Sequence, residues 1–100
     1  DMADAPCKAV NSGESTFALL FCGTGIGISI AANKHKGIRA ACCSDCFSAK
    51  LTRQHNDANI LVMPGRFIST EEADMILTEF FSTQFEGGRH QNRINKIPIK

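Results

Sequence analysis

Short, unbroken apolar runs alternate along this chain with longer stretches of mixed apolar and polar positions, and glycines mark many of the boundaries. Residues 2–12 read as a helix entered abruptly at Asp1, with Gly13 as its C-terminal stop. Phe17-Ala18-Leu19-Leu20-Phe21-Cys22 is continuously apolar and bounded by turn residues. A strand buried on both faces has that pattern, and a buried helix shares it. The run leads into Gly23-Thr24-Gly25-Ile26-Gly27, after which 28–34 suits a helix. Residues 38–43 predict a second strand, and Ser44 caps a helix over 45–55. Residues 59–63 form a third buried strand, ended by Pro64-Gly65. Ser69 with Glu72 makes a capping box for a helix to about residue 82. Gly87-Gly88 breaks the chain before a last short helix over 89–97.

Strands that alternate with helical crossovers imply a parallel sheet in an α/β layer architecture, here a single domain over residues 1–100. In open sheets of this kind, function collects at the carboxyl ends of the strands. Three segments end there: 22–27, 43–46 and 64–66. Composition narrows the picture further. The chain has 100 residues, 43% of them hydrophobic and 21% charged, enough for one core and too few for two. Eleven Lys and Arg against ten Asp and Glu leave a charge of +1, which offers no footprint for nucleic acid or an anionic membrane. No apolar run approaches a membrane span, and no segment reads as a secretory leader. Five cysteines, an odd number, then indicate a reducing compartment, so a cytoplasmic protein is expected.

The glycine-rich string departs from the dinucleotide fingerprint, because Ile28 occupies its final glycine position. Its backbone N–H groups, beside a helix N-terminus, can face an anion or oxyanion; a tight turn that needs glycine for steric reasons is the other reading. Cys22 stands directly before those groups, where a helix dipole favours a thiolate and suits it as base or nucleophile; a small buried apolar residue is the bland alternative. Cys42, Cys43 and Cys46 contain one Cys-x-x-Cys and lack partners at zinc spacing, so no metal site is expected. His55-Asn56-Asp57, between a helix and a strand, either turns the chain or places an acid–base imidazole. Arg89 and Arg93 share a helix face after Gly87-Gly88. They form either a phosphate clamp, which a helix N-terminus would assist, or part of a basic solvated tail with Lys96 and Lys100.

Taken together, these residues resemble the family of ribose-5-phosphate isomerase B and the galactose-6-phosphate isomerase subunits. The likeness rests on five co-linear blocks: 22–34, 37–40, 48–50, 53–59 and 85–93. It implies a three-layer, Rossmann-like parallel sheet flanked by helices. It also implies a metal-free, cofactor-free aldose–ketose isomerase that works through an enediolate, with ribose 5-phosphate and ribulose 5-phosphate as the expected pair. Six-carbon phosphates are a weaker possibility. By resemblance Cys22 is the proton-transfer base; Ile28, Ser29 and Ile30 offer no carboxylate for the branch of the family that uses a Glu there. Thr24 holds the loop or contacts substrate, and Gly23, Gly25, Ile26 and Gly27 line the oxyanion pocket. His55 opens the sugar ring, Asn56 orients a hydroxyl or enediolate oxygen, and Arg66, Arg89 and Arg93 bind the phosphate. The family forms dimers or dimers of dimers with sites between subunits. It also opens with a strand ending in a Ser/Cys-Asp-His motif, then a helix and a second strand. Those first two strands are absent here, so the chain is expected to be the later two-thirds of a larger subunit, with its 17–22 strand at a sheet edge. The alternative function is a catalytically inactive sugar-phosphate binding or oligomerisation module.

Overall fold

The computed structural model describes residues 3–97. Eight elements follow one another: α1 (Asp4–Asn11), β1 (Ala18–Cys22), α2 (Ile26–Asn33), β2 (Ala40–Cys42), α3 (Cys46–Asn56), β3 (Ile60–Pro64), α4 (Thr70–Ser82) and α5 (Arg89–Ile94). The three strands form one parallel sheet in the order β1-β3-β2, with Leu20 opposite Val62 and Ala41 opposite Leu61. Among the described residues no helix is long and apolar enough to cross a membrane.

The side-chain alternation of β3 organises the layers. Ile60 and Val62 point to one face, where they pack with Leu20, Ile38 and with Cys7 of α1 and Ala32 of α2. Leu61 and Met63 point to the other, against Ala49 of α3 and Ile76 and Phe80 of α4. The sheet is therefore the middle of three layers, the Rossmann-like arrangement expected. β3 is its one strand buried along its full length.

The expectation for 17–22 is corrected in one respect. Its strand forms, at 18–22 and at the sheet edge, but only Leu20 is buried, while Leu19 and Phe21 are 37% and 51% exposed. An apolar run does not distinguish a central strand from an edge strand that lacks a neighbour. The cap of α3 also differs. Asp45 rather than Ser44 takes the N-cap position and accepts the Ser48 N–H at 2.7 Å. The predicted 69/72 capping box is present in full, with Ser69 Oγ accepting from Glu72 N–H and Glu72 Oε1 from Ser69 N–H. Helix α2 begins two residues earlier than its pattern suggests, and α5 ends at Ile94 rather than 97. The start of the predicted 2–12 helix, at Asp1 and Met2, and Lys100 of the basic tail lie outside the described residues.

Candidate active site

The sequence-predicted residues fall into two groups at opposite ends of the sheet. The first is at the carboxyl end of β1. Cys22 closes that strand and is exposed. The chain then turns through Gly23, Thr24 and Gly25 into α2. Gly25 is the N-cap, at φ +78°, and provides no side-chain cap. Thr24 Oγ1 accepts the Ile26 N–H at 3.3 Å, which fixes the turn. No acidic residue lies in the first turn of α2. Its amino end, through the N–H groups of Gly27 and Ile28, thus keeps the partial positive charge that a cap or carboxylate would offset.

The β3–α4 connection closes this loop from the other side. Gly65 N–H donates to the Cys22 carbonyl at 2.8 Å, and Arg66 N–H to the Gly23 carbonyl at 3.1 Å. Gly23 lets the Arg66 guanidinium lie against the loop: a Cβ at that position would stand 3.3 Å from Arg66 Cζ. Arg66 thus joins Cys22 and the glycine loop. Cys42 lies beneath them, its thiol donating to the Thr24 carbonyl at 3.6 Å. Burial, and secondarily the proximity of Cys22, raise the Cys42 pKa, so this second thiol is kept protonated.

The second group is at the amino end of β3. His55 and Asn56 belong to the last turn of α3, which runs antiparallel to the strands. Arg53 anchors that turn. It is buried, donates to Asp57 Oδ1 at 2.7 Å, to the Ala58 carbonyl at 2.8 Å and to the Thr83 carbonyl at 3.3 Å. Its guanidinium also stands 4.9 Å from the Phe17 ring centroid. Asp57 ends the helix in the left-handed region at φ +47°, a conformation that Asp tolerates better than most residues.

Helix α5 packs on this turn. The His55 and His90 rings stack with centroids 4.2 Å apart and planes 13° from parallel. Glu86 Oε1 approaches both rings, 3.6 Å from His90 Nε2 and 3.9 Å from His55 Nε2. Burial first, then the charges of His55 and Arg89, holds the pKa of His90 below its ordinary value despite Glu86. Arg89 and Arg93 are exposed on α5 one turn apart. Among the described residues no carboxylate pairs with Arg66, Arg89 or Arg93. Sequence reasoning missed Glu86 and His90. Their i,i+4 spacing was visible, but the stack against His55 depends on how α5 docks.

The two groups do not converge within one chain. From Ile60 to Pro64, β3 alone spans about 13 Å, and Cys22 pairs with Pro64 at one end while His55 precedes Ile60 at the other.

Comparison with known proteins adds a consistent picture. The family described as Ribose/Galactose Isomerase matches residues 1–97. Ribose-5-phosphate isomerase B of Escherichia coli (strain K12) is 53% identical over 89 residues, which cover 89% of this chain and 60% of that protein. The crystal structure of a ribose 5-phosphate isomerase from Thermotoga maritima aligns with a TM-score of 0.95 at 52% identity, covering 96% of this chain and 66% of the other. That of ribose-5-phosphate isomerase B from Mycoplasma genitalium with bound ribulose-5-phosphate aligns at 0.92 and 42% identity, covering 97% and 64%. The chain therefore spans somewhat under two thirds of the length of these proteins.

Proposed function

The chain belongs to the Ribose/Galactose Isomerase family, and on that premise we propose that it serves as an aldose–ketose isomerase for ribose 5-phosphate and ribulose 5-phosphate. The observation that carries the reading is Cys22 at the uncapped, acid-free amino end of α2. A base beside unpaired backbone N–H donors is what proton transfer between adjacent carbons requires. Cys22 thiolate removes the C2 proton of the open-chain aldose. The electron pair moves into the C1–C2 bond, and the carbonyl oxygen becomes an enediolate oxygen held by the loop N–H groups. Return of the proton to C1, with the O2 hydroxyl proton passing to O1, yields the ketose; no oxidant enters the balance.

In this reading His55 protonates the furanose ring oxygen as the ring opens, and Asn56 orients a hydroxyl. Arg89 and Arg93 take the phosphate, a role supported by their exposed, carboxylate-free position. Arg66 assists from the Cys22 side. Because the Cys22 and His55 groups lie at opposite sheet ends, the working site combines one chain's Cys22 loop with a second copy's His55, Asn56, Arg89 and Arg93. A homodimer, or a dimer of dimers, meets that need.

The test is complementation. Cys22→Ala and His55→Asn each abolish ketose formation from ribose 5-phosphate when assayed alone. Mixed and allowed to exchange subunits, they recover about a quarter of native activity, since half the dimers are mixed and each holds one intact site of two. Full activity in Cys22→Ala alone overturns the base assignment, and no recovery on mixing overturns the shared site. Binding of ribose 5-phosphate without turnover by the unaltered chain assigns an inactive sugar-phosphate binding module instead.

A further inference from the structure

Three side chains from separate elements meet where α5 docks on α3. Each brings a good ligand for a borderline cation: His55 from α3, Glu86 from the loop before α5, and His90 from α5. Their ligand atoms all lie within 4.8 Å of one another. Glu86 Oε1 is the hub, at 3.6 Å from His90 Nε2 and 3.9 Å from His55 Nε2. Those separations are too long for hydrogen bonds. They are close to the roughly 3.3 Å that separates neighbouring ligands around a tetrahedral ion with bonds of about 2.0–2.1 Å.

We propose that His55, Glu86 and His90 bind a divalent transition-metal cation of the zinc class, with solvent in the remaining position. Two imidazoles and one carboxylate favour zinc, cobalt or nickel over magnesium or calcium, which seek several oxygen ligands. Binding requires a small movement: the stacked rings must turn out of parallel so that both lone pairs converge. His55 and Glu86 are 39% and 51% exposed at their side chains and have the room, while His90 is held at the base of the site. The cation ties α5 to α3. It also occupies the imidazole to which the proposed function gives ring opening, so it acts as an inhibitor rather than a cofactor of isomerisation.

The site itself is tested without any activity assay, so its failure is separable from failure of the isomerase reading. Cobalt(II) is titrated into the full chain, kept reduced with a phosphine, at neutral pH. The expected result is a set of visible d–d bands that saturate at one equivalent and are removed by zinc, without the near-ultraviolet charge-transfer band of thiolate ligation. Glu86→Gln and His55→Asn, both at accessible positions that leave the core intact, weaken binding by roughly tenfold or more. A thiolate charge-transfer band assigns the metal to the cysteines and overturns the proposal. So does undiminished affinity in both variants, or the absence of visible bands.

Discussion

Gly25→Ala probes the loop on which the Cys22 half of the site depends. Gly25 sits at φ +78°, and a Cβ there would stand 2.7 Å from Cys42 Sγ, 3.2 Å from Val62 Cγ1 and 3.5 Å from the Pro64 nitrogen. Two costs add. Left-handed backbone costs an L-residue roughly 1–2 kcal/mol, and forcing a methyl into a filled site costs about 1–3 kcal/mol more. The expected loss is therefore about 2–5 kcal/mol. Gly13 provides the control: it has φ +83° with nothing within 4 Å, so Gly13→Ala bears only the backbone cost. Cys42→Ala removes the nearest obstructing atom and leaves Val62 Cγ1 in place. In the Gly25→Ala background it recovers part of the loss, with a coupling of about 1 kcal/mol or more. Urea unfolding reads each term as a change in midpoint at constant slope. The reasoning fails if Gly25→Ala is no more damaging than Gly13→Ala, or if the two changes at 25 and 42 are additive.

Three further outcomes follow from the same geometry. The folded chain lowers the His90 pKa, so as pH falls from about the ordinary value of 6.5 towards the lowered one the unfolded chain binds more protons and stability falls; urea midpoints across that window show the slope, and His90→Gln reduces it. Ser69→Ala removes the capping box of α4 and costs about 1 kcal/mol, read from the urea midpoint; a shift within error would show that the cap contributes nothing. Arg93→Ala raises KM for ribose 5-phosphate about ten- to hundred-fold with little change in kcat, the loss of one charge-assisted contact of roughly 1.5–3 kcal/mol; an unchanged KM removes Arg93 from the phosphate site.

Much of the layer order was legible because local signals and tertiary needs agreed. The strand expected at 59–63 forms one residue later as the fully buried β3, and the 69/72 pair became a complete capping box. The misreadings share one physical source: adjacent or similar signals that only packing can separate. Ser44 and Asp45 are both good caps, one residue apart, and the backbone of the β2–α3 turn selected Asp45. The runs at 17–22 and 60–63 are both continuously apolar, yet the order β1-β3-β2 buries one and leaves Leu19 and Phe21 exposed on the other. Sequence patterning fixes which residues seek a core; it does not fix which strand becomes central.

The candidate site follows the same division. Chemistry at each residue could be anticipated locally: a thiol before a glycine turn, a histidine at a helix end, two arginines one turn apart. Their grouping needs the sheet as well as the local pattern, because it depends on strand direction and on how α5 docks on α3. In a parallel sheet, residues after a strand and residues before one lie at opposite ends, so Cys22 and His55 separate by the length of β3. Each end is locally supported, the first by Arg66 packed on Gly23 and the second by Arg53 tied to Asp57 and Ala58. A sugar phosphate that needs both the thiol and the imidazole must therefore bind where the carboxyl end of one sheet meets the amino end of another. For this chain, pairing of subunits is a requirement of the chemistry proposed for it, and loss of the pair should abolish turnover while each fold survives.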